Sequence, residues 1–209
     1  ISPFGFGKQT GVDLTGEARG ILPSSSWKLQ RHGKQWLQGE TPSIGIGQGY
    51  NTFTILQMAK ATSIIANRGV MIKPRLLKGS REFNNSEFSY SEPVTQGKLN
   101  IQQEWFDFVI DAMVEVNKSG TASSVFGTSS FPIAGKTGTA QVFTIKQDEE
   151  YDSEKVPERL KDHSLYIGFA PVDKPKIALA VVVENGGFGV TTATPIAKLV
   201  FDYYLAKKR

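Results

Sequence analysis

Seven consecutive apolar residues, Ile177 to Val183, constrain this chain more than any other stretch. The run is rich in Val, Ala, Leu and Ile, and it is flanked by Lys176 and Glu184. A strand with one wet face alternates apolar and polar residues, whereas a continuous run needs cover on both faces. The run is also far short of the roughly 20 residues a membrane-spanning helix needs. It therefore predicts a strand over 176–184 inside a layered domain. Two further strands are expected before it, at Ile133–Phe143 and at Leu165–Ala170, the latter closed by Pro171. A helix follows from Thr194 to Lys207, with Pro195 in its first turn and Lys207, Lys208 and Arg209 suited to its C-terminal end. Strand, strand, strand, helix points to an α/β arrangement with a helix packed on an antiparallel sheet.

Two more helices are expected upstream. One runs from about Thr52 to Asn67, with Phe53, Leu56, Ala59 and Ile64 near helical spacing and Arg68-Gly69 as its stop. The other runs from Ile101 to Lys118. Trp105, Val109, Ala112, Met113 and Val116 form its apolar stripe, and Gly120 ends it. Residues 1–50, rich in Gly, Ser, Gln and Pro, read as irregular loop. The chain opens at Ile1-Ser2-Pro3 with no initiator Met, which suggests a fragment or a processed chain. Between the first two strands, Thr144 to His163 holds seven acidic and four basic residues. That composition suits a solvated loop, or a flap beside a site.

Composition narrows the chemistry. The 209 residues contain no cysteine, which excludes disulfide scaffolds, cysteine nucleophiles and thiolate metal sites. The formal net charge of +4 is small and scattered, a poor basis for binding nucleic acid. The only histidines, His32 and His163, show no metal-ligand spacing, and neither a metal nor another cofactor is expected. His163 beside Asp162 reads as structural.

Two motifs are decoys. Gly135-Lys136-Thr137 resembles the end of a phosphate-binding loop, but the required upstream glycine is Ser130, and the chain continues as a strand rather than a helix. Gly45-Ile46-Gly47-Gln48-Gly49-Tyr50 imitates a dinucleotide fingerprint, but its third glycine is replaced by Tyr50 and no strand precedes it.

The informative stretch is Ile133 to Val142. Side chains alternate along a strand, so Lys136 and Gly138 share one face and Thr137 and Thr139 the other, unless twist brings them to a common rim. A lysine and two threonines beside a cleft can bind a carboxylate by charge and hydroxyl hydrogen bonds. Gly138 would let a peptide lie close to the backbone. The residue after it could offer its N–H to a developing oxyanion.

Five ordered blocks carry a resemblance. They are Phe4 to Leu14, Gly45 to Tyr50, Ile133 to Val142, Asp162 to Pro171, and Glu184-Asn185-Gly186-Gly187. Together they resemble the C-terminal part of the transpeptidase domain of class B penicillin-binding proteins. Gly-Gln-Gly-Tyr and Glu-Asn-Gly-Gly lean toward the elongation-type penicillin-binding protein 2 group rather than the division enzymes. Lys-Thr-Gly is one of that superfamily's signature motifs.

The resemblance implies an α/β penicillin-binding/β-lactamase-like fold, a five-stranded antiparallel sheet flanked by helices. Residues 1–209 would be the C-terminal part of one domain, supplying the last three strands and the last helix. It implies a serine D,D-transpeptidase that cross-links peptidoglycan stem peptides and is trapped by β-lactams. The nucleophilic Ser-x-x-Lys and the Ser-x-Asn motifs would lie in the N-terminal part of the same protein. Lys136, Thr137, Gly138 and Thr139 would bind substrate, with Lys136 and Thr139 also catalytic, and Gln48 would line the cleft. Membrane-bound cell-elongation proteins would be partners, at the periplasmic face of the inner membrane, with an N-terminal anchor. Ser25-Ser26-Trp27-Lys28 fits Ser-x-x-Lys. It follows Pro23 in the loop-rich stretch and lies after the Phe-Gly-Phe-Gly block, so Ser25 is not expected to be the nucleophile. The 209 residues alone would be inactive, and with an exposed apolar 177–183 edge they would aggregate or stay partly unfolded unless the other half is bound. A penicillin-recognising sensor and a non-catalytic wall-binding domain on the same fold are the alternative readings. A serine β-lactamase is a weaker one, since no deacylating base is visible.

Overall fold

The computed structural model describes residues 1–84, 87–142 and 157–206. Most of the acidic stretch read as a loop or flap, Phe143, and Lys207 to Arg209 lie outside them.

Six α-helices and seven strands are described. In chain order they are α1 (Ser25–His32), α2 (Glu40–Gly45), α3 (Ile55–Ala66), β1 (Val70–Ile72), β2 (Gly79–Ser80), β3 (Ser89–Tyr90), β4 (Thr95–Lys98), α4 (Gln103–Lys118), α5 (Ser123–Phe126), β5 (Ala134–Ala140), β6 (His163–Ala170), β7 (Ile177–Val183) and α6 (Ala193–Ala206). β5, β6 and β7 form a three-stranded antiparallel sheet with β6 central. The register pairs Lys136 with Ile167, Gly138 with Leu165, and Thr139 with Ser164. The pairs β1–β4 and β2–β3 make two small separate sheets, which the sequence reading did not anticipate.

Alternation along β6 divides the core. Tyr166 and Ala170 pack with Phe126 of α5 and with Ala197, Phe201 and Leu205 of α6. Phe169 packs on the other face with Ala66 of α3 and Ile110 and Met113 of α4. Helices therefore cover both faces of the sheet, as its apolar content requires.

Three expectations need correction. Residues 1–50 are not all irregular, because Ser24 caps α1 by accepting the Trp27 N–H, and α2 follows. The inward stripe of α4 is Phe106, Ile110, Met113 and Asn117, whereas Trp105 and Val109 are 58% and 42% exposed. That helix is apolar on both sides, so periodicity could not choose. The buried side is the one on which Asn117 Nδ2 donates to Ile133 O (2.8 Å) while its Oδ1 accepts from Tyr166 Oη (3.1 Å). Finally, β7 is only partly buried except at Leu179. Both of its faces meet helices, but its outer edge pairs with no strand among the described residues.

The N-terminal segment is bound to α3 by polar contacts. Thr54 and Gln57 form a reciprocal capping box at the start of α3. Gln57 Nε2 also donates to Lys8 O and Arg19 O, both at 2.7 Å. Glu17 accepts the Thr10 and Gly11 N–H groups (2.7 and 3.1 Å), and Asp13 accepts those of Leu76 and Leu77 (2.6 and 2.9 Å).

Candidate active-site wall

The candidate residues Lys136, Thr137, Gly138 and Thr139 lie on β5, at the edge of the sheet opposite β7. An edge strand leaves one row of backbone groups unpaired, which is what a peptide or an acyl oxygen needs to dock. The strand is held closely along one face. Gly135 lies against the fully buried Tyr166 phenol, where a Cβ would overlap the hydroxyl oxygen. Burial pushes the Tyr166 phenol well above its ordinary pKa, against the smaller opposing effect of its hydrogen bond to Asn117. It therefore stays protonated as the donor to that amide.

Lys136 is exposed, and its ammonium bends along the strand to donate to Thr137 O at 2.7 Å. The charge thus reaches its neighbour's backbone although the two side chains leave opposite faces. Thr137 Oγ1 lies 3.1 Å from Thr121 Oγ1, in the turn after α4. Thr139 Oγ1 accepts the Gly189 N–H at 3.3 Å. Gly189 sits flat on Gly138, and a Cβ there would strike the Gly138 carbonyl, so the 184–194 turn closes one face of the strand. Buried Ser164 secures that turn by donating to Phe188 O (3.0 Å) and accepting from Ala193 N (2.9 Å).

The other face opens on a cavity of about 710 Å³ between β5, β6 and α3. Gly138, Thr139 and Ala140 line it together with Gln48, Phe53 and Leu165. Lys136 and Thr137, earlier on the strand, stand outside this lining. The Gln48 amide lies 3.5 Å from Gln141 Oε1, so the Gly-Gln-Gly-Tyr loop meets the end of β5. Gln141, Thr121 and Gly189 were given no role from the sequence. Only Gly120, noted as a helix stop, hinted at the turn that carries Thr121.

His163 Nδ1 accepts the Asn185 N–H at 2.9 Å, and Asn185 Nδ2 donates to Arg159 O and Lys161 O. The histidine thus anchors the same turn. Ser25 stands at a helix N-terminus with Lys28 one turn on, not in a loop as the sequence suggested. Lys28, however, is buried and committed to Glu40 (2.6 and 2.7 Å) and to Gln35 O (2.9 Å). The bonds that hold its ammonium therefore go to Glu40 and Gln35, not to Ser25.

Residues 1–202 match the family described as the penicillin binding protein transpeptidase domain. The chain belongs to that family. Peptidoglycan D,D-transpeptidase MrdA of Acinetobacter baumannii is 43% identical over 99% of this chain and 30% of its own length. The Escherichia coli K12 protein of the same name is 39% identical over 98% of this chain and 32% of its own length. This transpeptidase-family chain thus spans about a third of the length of those curated relatives. Among solved structures, Pseudomonas aeruginosa PBP2 in complex with WCK 5153 superposes with a TM-score of 0.79 at 37% identity, covering 98% of this chain and 42% of that one. The complex between PBP2 and MreC from Helicobacter pylori gives a TM-score of 0.80 at 31% identity, covering 100% of this chain and 35% of that one. The penicillin-binding transpeptidase fold, with its antiparallel sheet and flanking helices, agrees with the class expected from the sequence.

Proposed function

We propose that the protein containing this chain is a peptidoglycan D,D-transpeptidase, and that residues 1–209 are the C-terminal part of its catalytic domain. The observation that carries this reading is the exposed β5 edge. There a lysine ammonium, a solvent-facing threonine hydroxyl and a glycine-flanked backbone follow one another beside a cavity. That sequence of groups suits a peptide ending in a carboxylate. Lys136 supplies charge to the terminal carboxylate of a D-Ala-D-Ala stem peptide, and the Thr137 hydroxyl donates to it. The Thr139 N–H contributes to the oxyanion hole, while its hydroxyl oxygen accepts the Gly189 N–H and keeps its proton for the substrate carboxylate. Gln48 and Gln141 close the far end of the strand.

A serine outside this chain attacks the penultimate D-Ala carbonyl. An ester forms, the peptide C–N bond breaks, and the terminal D-Ala leaves with a proton. The amine of a neighbouring stem then attacks the ester, forming the cross-linking amide and restoring the serine. β-Lactams acylate the same serine and are retained because their leaving group stays tethered. No helix among the described residues is long and apolar enough to cross a membrane. The periplasmic face of the inner membrane is where the cross-linked substrate lies. The MreC complex of the Helicobacter pylori relative supports an elongation-type protein partner.

Lys136→Ala in the full-length protein tests the assignment. Losing a charge-assisted contact is expected to slow β-lactam acylation about ten- to a hundredfold. Acylation at the wild-type rate would remove Lys136 from the site.

A further inference from the structure

Thr121 is bound at its hydroxyl to Thr137, 16 residues away along the chain. It does not serve the helix it follows. The end of α4 is closed by the Ser119 and Gly120 N–H groups on Glu115 O and by the Ala122 N–H on Val116 O. Ala122, fully buried, fixes the turn in the core. Thr121 is thus held rigidly with an exposed hydroxyl aimed at β5. An exposed hydroxyl pair adds little to stability, because water replaces either partner at small cost.

The chemistry of the pair gives it another use. Each hydroxyl has one proton and two lone pairs. If Thr121 donates to Thr137 Oγ1, the Thr137 proton is free for an outside acceptor. If Thr137 donates to Thr121, that proton is spent. An anionic acceptor beside Lys136 selects the first sense, and a chain of hydroxyls running toward an anion strengthens each link. We propose that Thr121 is a positioning residue that orients the Thr137 hydroxyl proton toward the carboxylate of the acyl donor, and so contributes to selection of carboxylate-terminated substrates. This rests on the reading of Lys136 and Thr137 given above.

The test uses the full-length protein and two acyl donors, a penicillin and its methyl ester. Thr121→Val should slow acylation by the free carboxylate several-fold, up to about tenfold. It should leave the ester rate and the melting temperature unchanged, and Thr121→Ser should restore the penicillin rate. In a Thr137→Val background the Thr121→Val change should add nothing, since the path to the ligand is already cut. Equal losses for both donors, no loss for either, or full additivity with Thr137→Val would overturn the proposal. A wild-type protein acylated equally by acid and ester would instead show that the Lys136–Thr137 wall does not read a carboxylate. That would remove the basis for Thr121 as well.

Discussion

Gly135 and Tyr166 show how closely the position of Lys136 is specified. The residue before the lysine has no room for a methyl group, because the phenol beneath it is fully buried and tied to Asn117. Gly135→Ala must displace either the strand or the ring. The expected cost is about 1–3 kcal/mol of stability, measurable by denaturant unfolding of the full-length protein, together with slower acylation. Unchanged stability would mean that the strand moves freely. Asn117→Ala strands both the Ile133 carbonyl and the Tyr166 hydroxyl, and should cost about 2–4 kcal/mol in the same measurement. Neither partner was legible beforehand. The glycine could be read as permissive, but nothing in a one-dimensional pattern says that a tyrosine 31 positions on lies beneath it. Asn117 had no part in the expected stripe, which ended at Val116. On the buried side of α4 the amide ties the helix at once to β6 and to Ile133, the residue just before β5.

At the scale of elements, the sheet and its last helix were the legible part. β5, β6, β7 and α6 fall within a few residues of their expected bounds because each has a local signal: alternation, an apolar run, or a proline in a first turn. The helices α3 and α4 also matched their expected bounds, whereas the first 50 residues did not, since their order comes from polar contacts across long stretches of chain. Glu17 and Asp13 carry much of it. Burial acts to raise the Glu17 pKa, but the Thr10 and Gly11 hydrogen bonds and the nearby Lys60 charge outweigh it, leaving the carboxyl below its ordinary 4.5. The Leu76 and Leu77 N–H groups likewise hold Asp13 below 3.8. A carboxyl with a depressed folded pKa adds stability that is fully present above its unfolded value and disappears as pH falls through the folded one. Stability should therefore fall as pH drops below about 4.5. Glu17→Gln should lower stability at neutral pH and flatten that acid slope. An unchanged slope in the variant would place the acid sensitivity elsewhere.

At the scale of the whole molecule, the fold family was legible because five separated blocks kept their order, and the matched residues run from 1 to 202. The candidate wall was legible as a motif, but its partners were not. Thr121, Gln141 and Gly189 reach β5 from other elements, and only the folded chain brings them together. The outer edge of β7 has no strand partner among the described residues, and Leu199 on α6 and Phe108 on α4 are 70% and 68% exposed. A free apolar strand edge and such patches promote self-association. The 209 residues expressed alone should aggregate and take no β-lactam label. A soluble monomer with one cooperative melting transition would contradict this. Labelling the full-length protein with fluorescent penicillin and mapping the adduct by peptide mass locates the nucleophile. The expected result is an acylated serine outside these 209 residues, with Ser25 unmodified. An adduct on Ser25, or on any other residue of this chain, would mean that the nucleophile had been misplaced and that β5 is not the wall facing it.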